Sequence, residues 1–141
     1  MPEESTTPGL EELARQSIDA INRRDFDAVL ARYMPYAVWV VASLGMAETF
    51  EGREAIRGML EDAVAPYDDY EMVLEEFRDL GNGVTFRVDL ARGRPTGSSV
   101  FVEQRVAIVV VWRDRLIERA TIYTDIDEAR AAAERLAEER G

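Results

Sequence analysis

After Pro66 the apolar residues stop recurring every three or four positions and begin to alternate. That switch of period divides the chain into a helical front and a β-rich back. In the front, Leu10, Leu13, Ala14, Ser17, Ile18 and Ile21 recur at helical spacing until Asn22-Arg23-Arg24-Asp25 breaks the pattern. A second helix is predicted with Phe26, Val29, Leu30 and Tyr33 on one face and Pro35 at its end. The β-branched and aromatic run from Tyr36 to Ala42 reads as a strand. Ser43 to Gly45 turn it toward a short partner, Glu48 to Phe50. A third helix is expected from about Gly52 to Ala65, with Ile56, Met59, Leu60 and Val64 on one side.

Behind the switch, four long strands are predicted: Tyr70 to Asp79, Val84 to Ala91, Val100 to Trp112 and Leu116 to Thr124. Gly81-Asn82-Gly83 is a hairpin signal, and Arg113-Asp114-Arg115 marks a second turn. Arg92 to Ser99 is rich in Gly, Pro and Ser and reads as a loop. Asp125-Ile126-Asp127-Glu128 has the form of a capping box and opens an Ala-rich helix that runs to Arg140. Helices grouped apart from an antiparallel meander give an α+β class, not a parallel βαβ fold. Residues 1–7 read as a loose tail, with Thr7 placed to cap a helix that starts at Pro8; residues 8–141 read as a single domain.

The chain carries 28 acidic residues against 17 basic ones, a net charge of −11. Such a surface repels nucleic acid and anionic membranes, so neither is an expected partner. Cysteine, histidine and lysine are all absent. That excludes thiol nucleophiles, zinc–thiolate sites, Ser-His-Asp triads and Schiff bases. Arginine does not give up its proton, so acid–base chemistry falls to Asp, Glu, Tyr or water. No cofactor is called for. The first ten residues hold no apolar stretch, and the longest apolar run, Val106 to Trp112, is too short for a membrane span. A cytoplasmic location is the expectation.

Several runs resemble one family. Asn22-Arg23-Arg24-Asp25-Phe26-Asp27-Ala28-Val29-Leu30 is similar to the helix break that opens many SnoaL-like domains, in the nuclear transport factor two-like superfamily. Phe50-Glu51-Gly52-Arg53-Glu54-Ala55-Ile56-Arg57 resembles the start of their third helix. Val102-Glu103-Gln104-Arg105-Val106-Ala107 and Ile122-Tyr123-Thr124-Asp125 resemble their last strands. The resemblance implies a cone: a curved antiparallel sheet of four long strands plus a short hairpin. Three N-terminal helices and a C-terminal helix would surround an apolar cavity. The superfamily holds cyclases, isomerases, epoxide hydrolases, dehydratases and non-catalytic binders, so the fold alone names no reaction.

Arg87-Val88-Asp89 resembles the Arg-x-Asp of limonene-epoxide-hydrolase-like enzymes, and Pro95-Thr96-Gly97 their following loop. In those enzymes a second Asp works from the last strand, where this chain has Ile122. Their water-holding Tyr and Asn fall near Ala42 and Leu44. The steroid isomerase pattern would put its base near Leu44 and its oxyanion Tyr near Ser17. A cyclase needs one buried carboxylate, for which Asp89 is the candidate; Asp125 is better explained as a helix cap.

Arg87 and Asp89 stand two apart and share one face of a strand, with Phe86, Val88 and Leu90 on the other. Either the pair is solvated and the apolar face is core, or the pair faces the cavity. In the second arrangement Asp89 is the general acid or base and Arg87 orients it. Gln104, Val106, Ile108, Val110 and Trp112 then share the cavity side, with Gln104 as its polar handle; Glu103 and Arg105 form cross-strand salt bridges outside. Tyr33, Trp39, Met59 and Ile122 complete the expected lining. Two functions are open: a small enzyme acting on an apolar oxygenated molecule, as isomerase, cyclase or hydrolase, and a non-catalytic binder of such a molecule. Val106 to Val111 is apolar on both faces, whereas an antiparallel strand normally wets one. A homodimer through the convex face of the sheet is the expected cover, and the C-terminal helix is the alternative.

Overall fold

The computed structural model describes residues 9–43 and 46–141, the side chains of Ser43 and Met46 excepted. The helix cap expected at Thr7 lies outside that range. Helix α1 runs Leu10–Asn22 and buries the face that carries Leu13, Ala14, Ile18 and Ile21. Its break follows the sequence: Arg24 turns with φ of 61°, and Asp25 caps the short helix α2, Phe26–Leu30, by accepting from the Ala28 amide at 3.2 Å. Asn22 acts as a splint. Its side-chain amide donates to the Met72 carbonyl at 2.9 Å and accepts from the Met72 amide at 2.8 Å, tying the end of α1 to a strand.

Strand β1 spans Tyr33–Ser43 and β2 Met46–Glu51; α3, Arg53–Val64, buries Ile56, Leu60 and Val64 at one-turn intervals. Then come β3 (Tyr67–Gly81), β4 (Val84–Pro95), β5 (Val102–Arg113), β6 (Leu116–Tyr123) and α4 (Ile126–Arg140). The class is α+β, as the sequence implied. Asp125 caps α4, accepting from the Glu128 amide at 3.0 Å.

Several boundaries differ from expectation. The second helix stops at Leu30, and Tyr33 and Pro35 belong to β1. Pro35 has no N–H to give, and the β1–β6 register shifts between Tyr33 and Val38. The segment Arg92–Pro95 is strand because Tyr67 and Asp68 pair with it, helped by Arg94, which reaches Asp69 at 2.8 Å. β5 begins at Val102 instead of Val100.

The hairpin is also not separate from the meander. All six strands form one curved sheet in the order β2-β1-β6-β5-β4-β3. β1 and β6 run parallel, so the sheet is mixed instead of purely antiparallel. The β3–β4 turn needs Gly83: its φ is 77°, and a Cβ there would meet the Trp112 carbonyl oxygen at 3.0 Å. The Asp114–Arg115 turn puts two non-glycine residues at φ of 52° and 66°, the twist a two-residue hairpin demands.

The sheet carries a core on each face. On the concave side α1, α2 and α3 bury Leu13, Phe26, Val29, Ile56 and Leu60 against Ile108, Val110 and Trp112. On the convex side α4 lays Ala129, Ala133 and Ala137 over Val84, Phe86, Val88, Ala107 and Val109. Small residues every fourth position let that helix approach the sheet closely. So α4 covers the apolar face of the β5 strand, and a second copy is not required to explain its composition.

α4 is also tethered by charge. Arg130 donates to Glu76 of β3 at 2.9 Å, and its guanidinium lies 4.7 Å from the Phe86 ring centroid. Hydrogen bonds from Arg130 and Arg78 hold the Glu76 carboxyl down to about 2. A carboxylate depressed on folding stabilises above its unfolded value of 4.5 and loses that contribution as pH falls toward about 2. The pair is partly exposed, so Glu76→Gln is expected to cost only about 1 kcal/mol at pH 7. Paired urea titrations of both proteins check this: the gap narrows as pH falls from 5 to 2, and a gap that stays constant over that range excludes the pair as its source.

Candidate functional site

Strand β4 alternates between the two cores. Val84, Phe86 and Val88 point toward α4. Thr85, Arg87 and Asp89 are buried on the other side; besides Tyr33 and Ser17 they are the only charged or hydroxyl side chains so buried among the described residues. Thr85 accepts from the Trp112 indole N–H at 2.9 Å, which satisfies both groups. Arg87 Nε donates to Asp89 Oδ2 at 3.1 Å, and the side chains are 8% and 0% exposed. Of the two arrangements left open by the sequence, the structure has the inward one.

That ion pair is half made. Asp89 Oδ1 is buried with no hydrogen-bond partner among the described residues. Nη1 and Nη2 of Arg87 also bond to no described residue, although Arg87 lines a pocket. Burial raises the Asp89 carboxyl above its ordinary value, against the pull of Arg87. Tyr33, fully enclosed on β1, is pushed well up by burial and further by the Asp89 charge, with Arg87 opposing. Tyr70 on β3 is raised by burial and then by Asp89. Both phenols therefore stay protonated in the neutral range and can only donate or accept hydrogen bonds.

The pocket beside Arg87 has a volume of about 900 Å³. Trp39 and Val41 of β1, Val106 and Ile108 of β5 and Ile122 of β6 supply sheet-side wall. Met59 and Leu60 of α3, Phe50 of β2 and Tyr67, Tyr70 and Met72 of β3 face them. The Trp39 indole N–H is buried without a partner among the described residues. Exposed Glu48, Asp62, Arg92, Glu103 and Gln104 form the rim.

Seven residues expected at the site line this pocket: Arg87, Trp39, Met59, Gln104, Val106, Ile108 and Ile122. Gln104 does so from the exposed rim, not from deep inside. Tyr33 and Asp89 are buried next to the pocket but do not line it. Glu103 meets Arg92 of the adjacent β4 at 3.4 Å, and Arg105 reaches across to Glu75 of β3 at 2.6 Å. Tyr123 lies on the opposite side of the sheet, beside α4.

Residue-by-residue reading missed Tyr70, Met72, Phe50 and Val41. Strand parity could have found most of them. Leu74 is the register partner of Asp89, so Met72 and Tyr70 follow at two-residue steps on the same face. Gly93 was a further signal: a Cβ there would meet the Tyr67 ring at 3.0 Å, so its absence lets that ring lie on β4. The epoxide hydrolase arrangement is not completed. Apolar Ile122 stands in the wall where a second carboxylate would be needed, and Ala42 lies on the far side of the sheet. Leu44 is outside the described residues. Ser17 is buried with an unpartnered hydroxyl where the steroid isomerase pattern would want a Tyr. Among the described residues no group of three or more Asp or Glu could hold a metal ion.

The SnoaL-like domain description matches residues 14–120. The chain belongs to the SnoaL-like family. The solved structures agree on the fold of this SnoaL-like chain. An NTF2-like protein from Burkholderia thailandensis E264 is 22% identical, with a TM-score of 0.69 over 90% of this chain and 98% of its own. A protein of ketosteroid isomerase-like fold from Catenulispora acidiphila DSM 44928, in complex with trimethylamine, is 16% identical, with a TM-score of 0.70 over 91% and 94%. A Mycobacterium tuberculosis protein in complex with estradiol-17β-hemisuccinate is 15% identical, with a TM-score of 0.67 over 84% and 95%. No curated protein matches the chain significantly. No described helix is long and apolar enough to cross a membrane.

Proposed function

We propose that the pocket binds a small apolar, oxygenated molecule and that Asp89, with Arg87, performs acid–base chemistry on it as an isomerase, cyclase or hydrolase. The observation that carries this reading is the half-made ion pair beside an apolar pocket. Desolvation shifts the Asp89 carboxyl toward the neutral range, where one group can both accept and return a proton. The size and apolar walls suit a ligand of a few rings. The M. tuberculosis relative, seen with a steroid ester, shows that the shared fold accommodates such a body. A homodimer is also proposed; it would use the strip of convex face that α4 leaves open, where Val40, Ala42 and Val111 line a groove.

One observation favours a second reading, binding without turnover: Asp89 is fully enclosed and does not line the pocket, whereas Arg87 does. The two readings part on one experiment. Ligand carried through native purification is identified by mass spectrometry and returned to the stripped protein. Under the catalytic reading it is converted, and Asp89→Asn, which keeps the shape and an acceptor for Arg87, lowers the rate by about 100-fold or more while still binding. Unchanged ligand in both proteins, bound equally well, supports the binder.

A further inference from the structure

Arg87 is the pocket's one deeply buried cation among the described residues, and it gives Asp89 one hydrogen bond where a complete pair would have two. A guanidinium and a carboxylate normally meet through two parallel hydrogen bonds. Here a single bond joins Nε to Oδ2, Arg87 lines the pocket with Nη1 and Nη2 bonded to no described residue, and Oδ1 is buried without a partner among the described residues. Leaving a buried carboxylate oxygen unsatisfied is costly, and an apolar wall offers the guanidinium no acceptor.

We propose that the ligand of this pocket carries a carboxylate, held end-on by Nη1 and Nη2 of Arg87, with its apolar body against Trp39, Met59, Ile108 and Ile122. The fork of two N–H groups fits a planar pair of oxygens better than it fits a single carbonyl oxygen. This rests on the pocket reading above and deepens it by naming the group that binds.

Charge balance has a consequence. Two carboxylates around one guanidinium would leave a buried net negative charge, which the apolar surroundings oppose. Asp89 answers by taking up a proton on Oδ1, the oxygen that has no partner to lose. The groups whose charge reaches Asp89 are Arg87 on its own strand, Tyr33 on β1 and Tyr70 on β3, and neither phenol supplies a compensating positive charge. Binding therefore consumes a proton and weakens as pH rises. Glu48, Asp62 and Glu103 outnumber Arg92 at the rim, so added salt speeds capture of the anion instead of slowing it.

The test uses the full chain and three matched probe pairs: 2-naphthoate, biphenyl-4-carboxylate and a steroid 17-carboxylate, each beside its primary amide. Calorimetry from pH 5 to 8 is expected to show at least one acid bound about tenfold more tightly than its amide, an affinity that falls with pH, and proton uptake that Asp89→Asn abolishes. Arg87→Met is expected to erase the preference for the acid; the wild-type comparison stands by itself should that variant not fold. Amides that bind as well as acids, or an acid affinity level from pH 5 to 8, overturn the carboxylate and leave the pocket reading intact. No binding by any of the six overturns both.

Discussion

Phe86→Ala is expected to remove about 3–5 kcal/mol of stability, the usual cost of emptying a fully buried aromatic site. The ring is 1% exposed and sits where β4, β5 and α4 converge, against Ala129, Ala133 and Ala137. Alanines cannot reach into the gap a lost ring leaves, so the site collapses poorly. The same ring carries the Arg130 guanidinium at 4.7 Å, and Arg130 holds α4 to Glu76. One truncation therefore loosens both the apolar and the ionic attachment of the helix. The C-terminal end has its own ties, from Asn82 to the Ala137 carbonyl at 2.7 Å and from Arg140 to the Asn82 carbonyl at 2.9 Å. These are too few to keep the helix docked. Urea melts supply the magnitude, and hydrogen exchange should show α4 amides losing protection before those of β4 and β5. A loss under about 1 kcal/mol would mean that α4 does not rely on this ring.

The importance of Phe86 was only half visible in the sequence. Its alternation with Arg87 was plain, and so was the Ala period of the last helix, but nothing local says which face of a strand a distant helix will choose. Strand parity carried the site: once Asp89 faces inward, Arg87 must too, and on β5 Val106, Ile108 and Val110 follow. Boundaries were less legible, because Tyr33 fits a helical apolar face and Pro35 a helix end until β6 pairs beside them. The parallel β1–β6 contact was illegible for the same reason, since a pairing between residues some eighty positions apart leaves no short-range pattern. The lining from β3, β2 and Val41 of β1 bears no local mark in the sequence. Tyr70, Met72, Phe50 and Val41 are ordinary apolar residues whose meaning comes from what stands opposite them.

The buried pair allows a sharper expectation than an exposed one, for which substitution costs about 0–1 kcal/mol. Asp89→Ala is expected to cost about 3–5 kcal/mol, because it leaves a guanidinium buried without a counter-charge. Arg87→Met strands a carboxylate instead, and here pH separates the two. The Asp89 carboxyl is already raised above 3.8 by burial, with Arg87 opposing the rise. Removing Arg87 raises it further. A group raised on folding binds more protons in the native state, so stability falls as pH climbs from the unfolded value through the folded one. The cost of Arg87→Met is therefore greatest at pH 8 and shrinks as pH falls and Asp89 takes up a proton. The cost of Asp89→Ala has no such relief, because arginine keeps its charge throughout. Arg87→Met combined with Asp89→Leu fills the space with apolar atoms and is expected to return to within about 1 kcal/mol of wild type, or above it. Denaturant titrations of the four proteins at three pH values give the cycle. If the double variant loses the sum of the two single losses, the residues are not coupled, and the pair cannot be the unit on which the chemistry of this pocket turns.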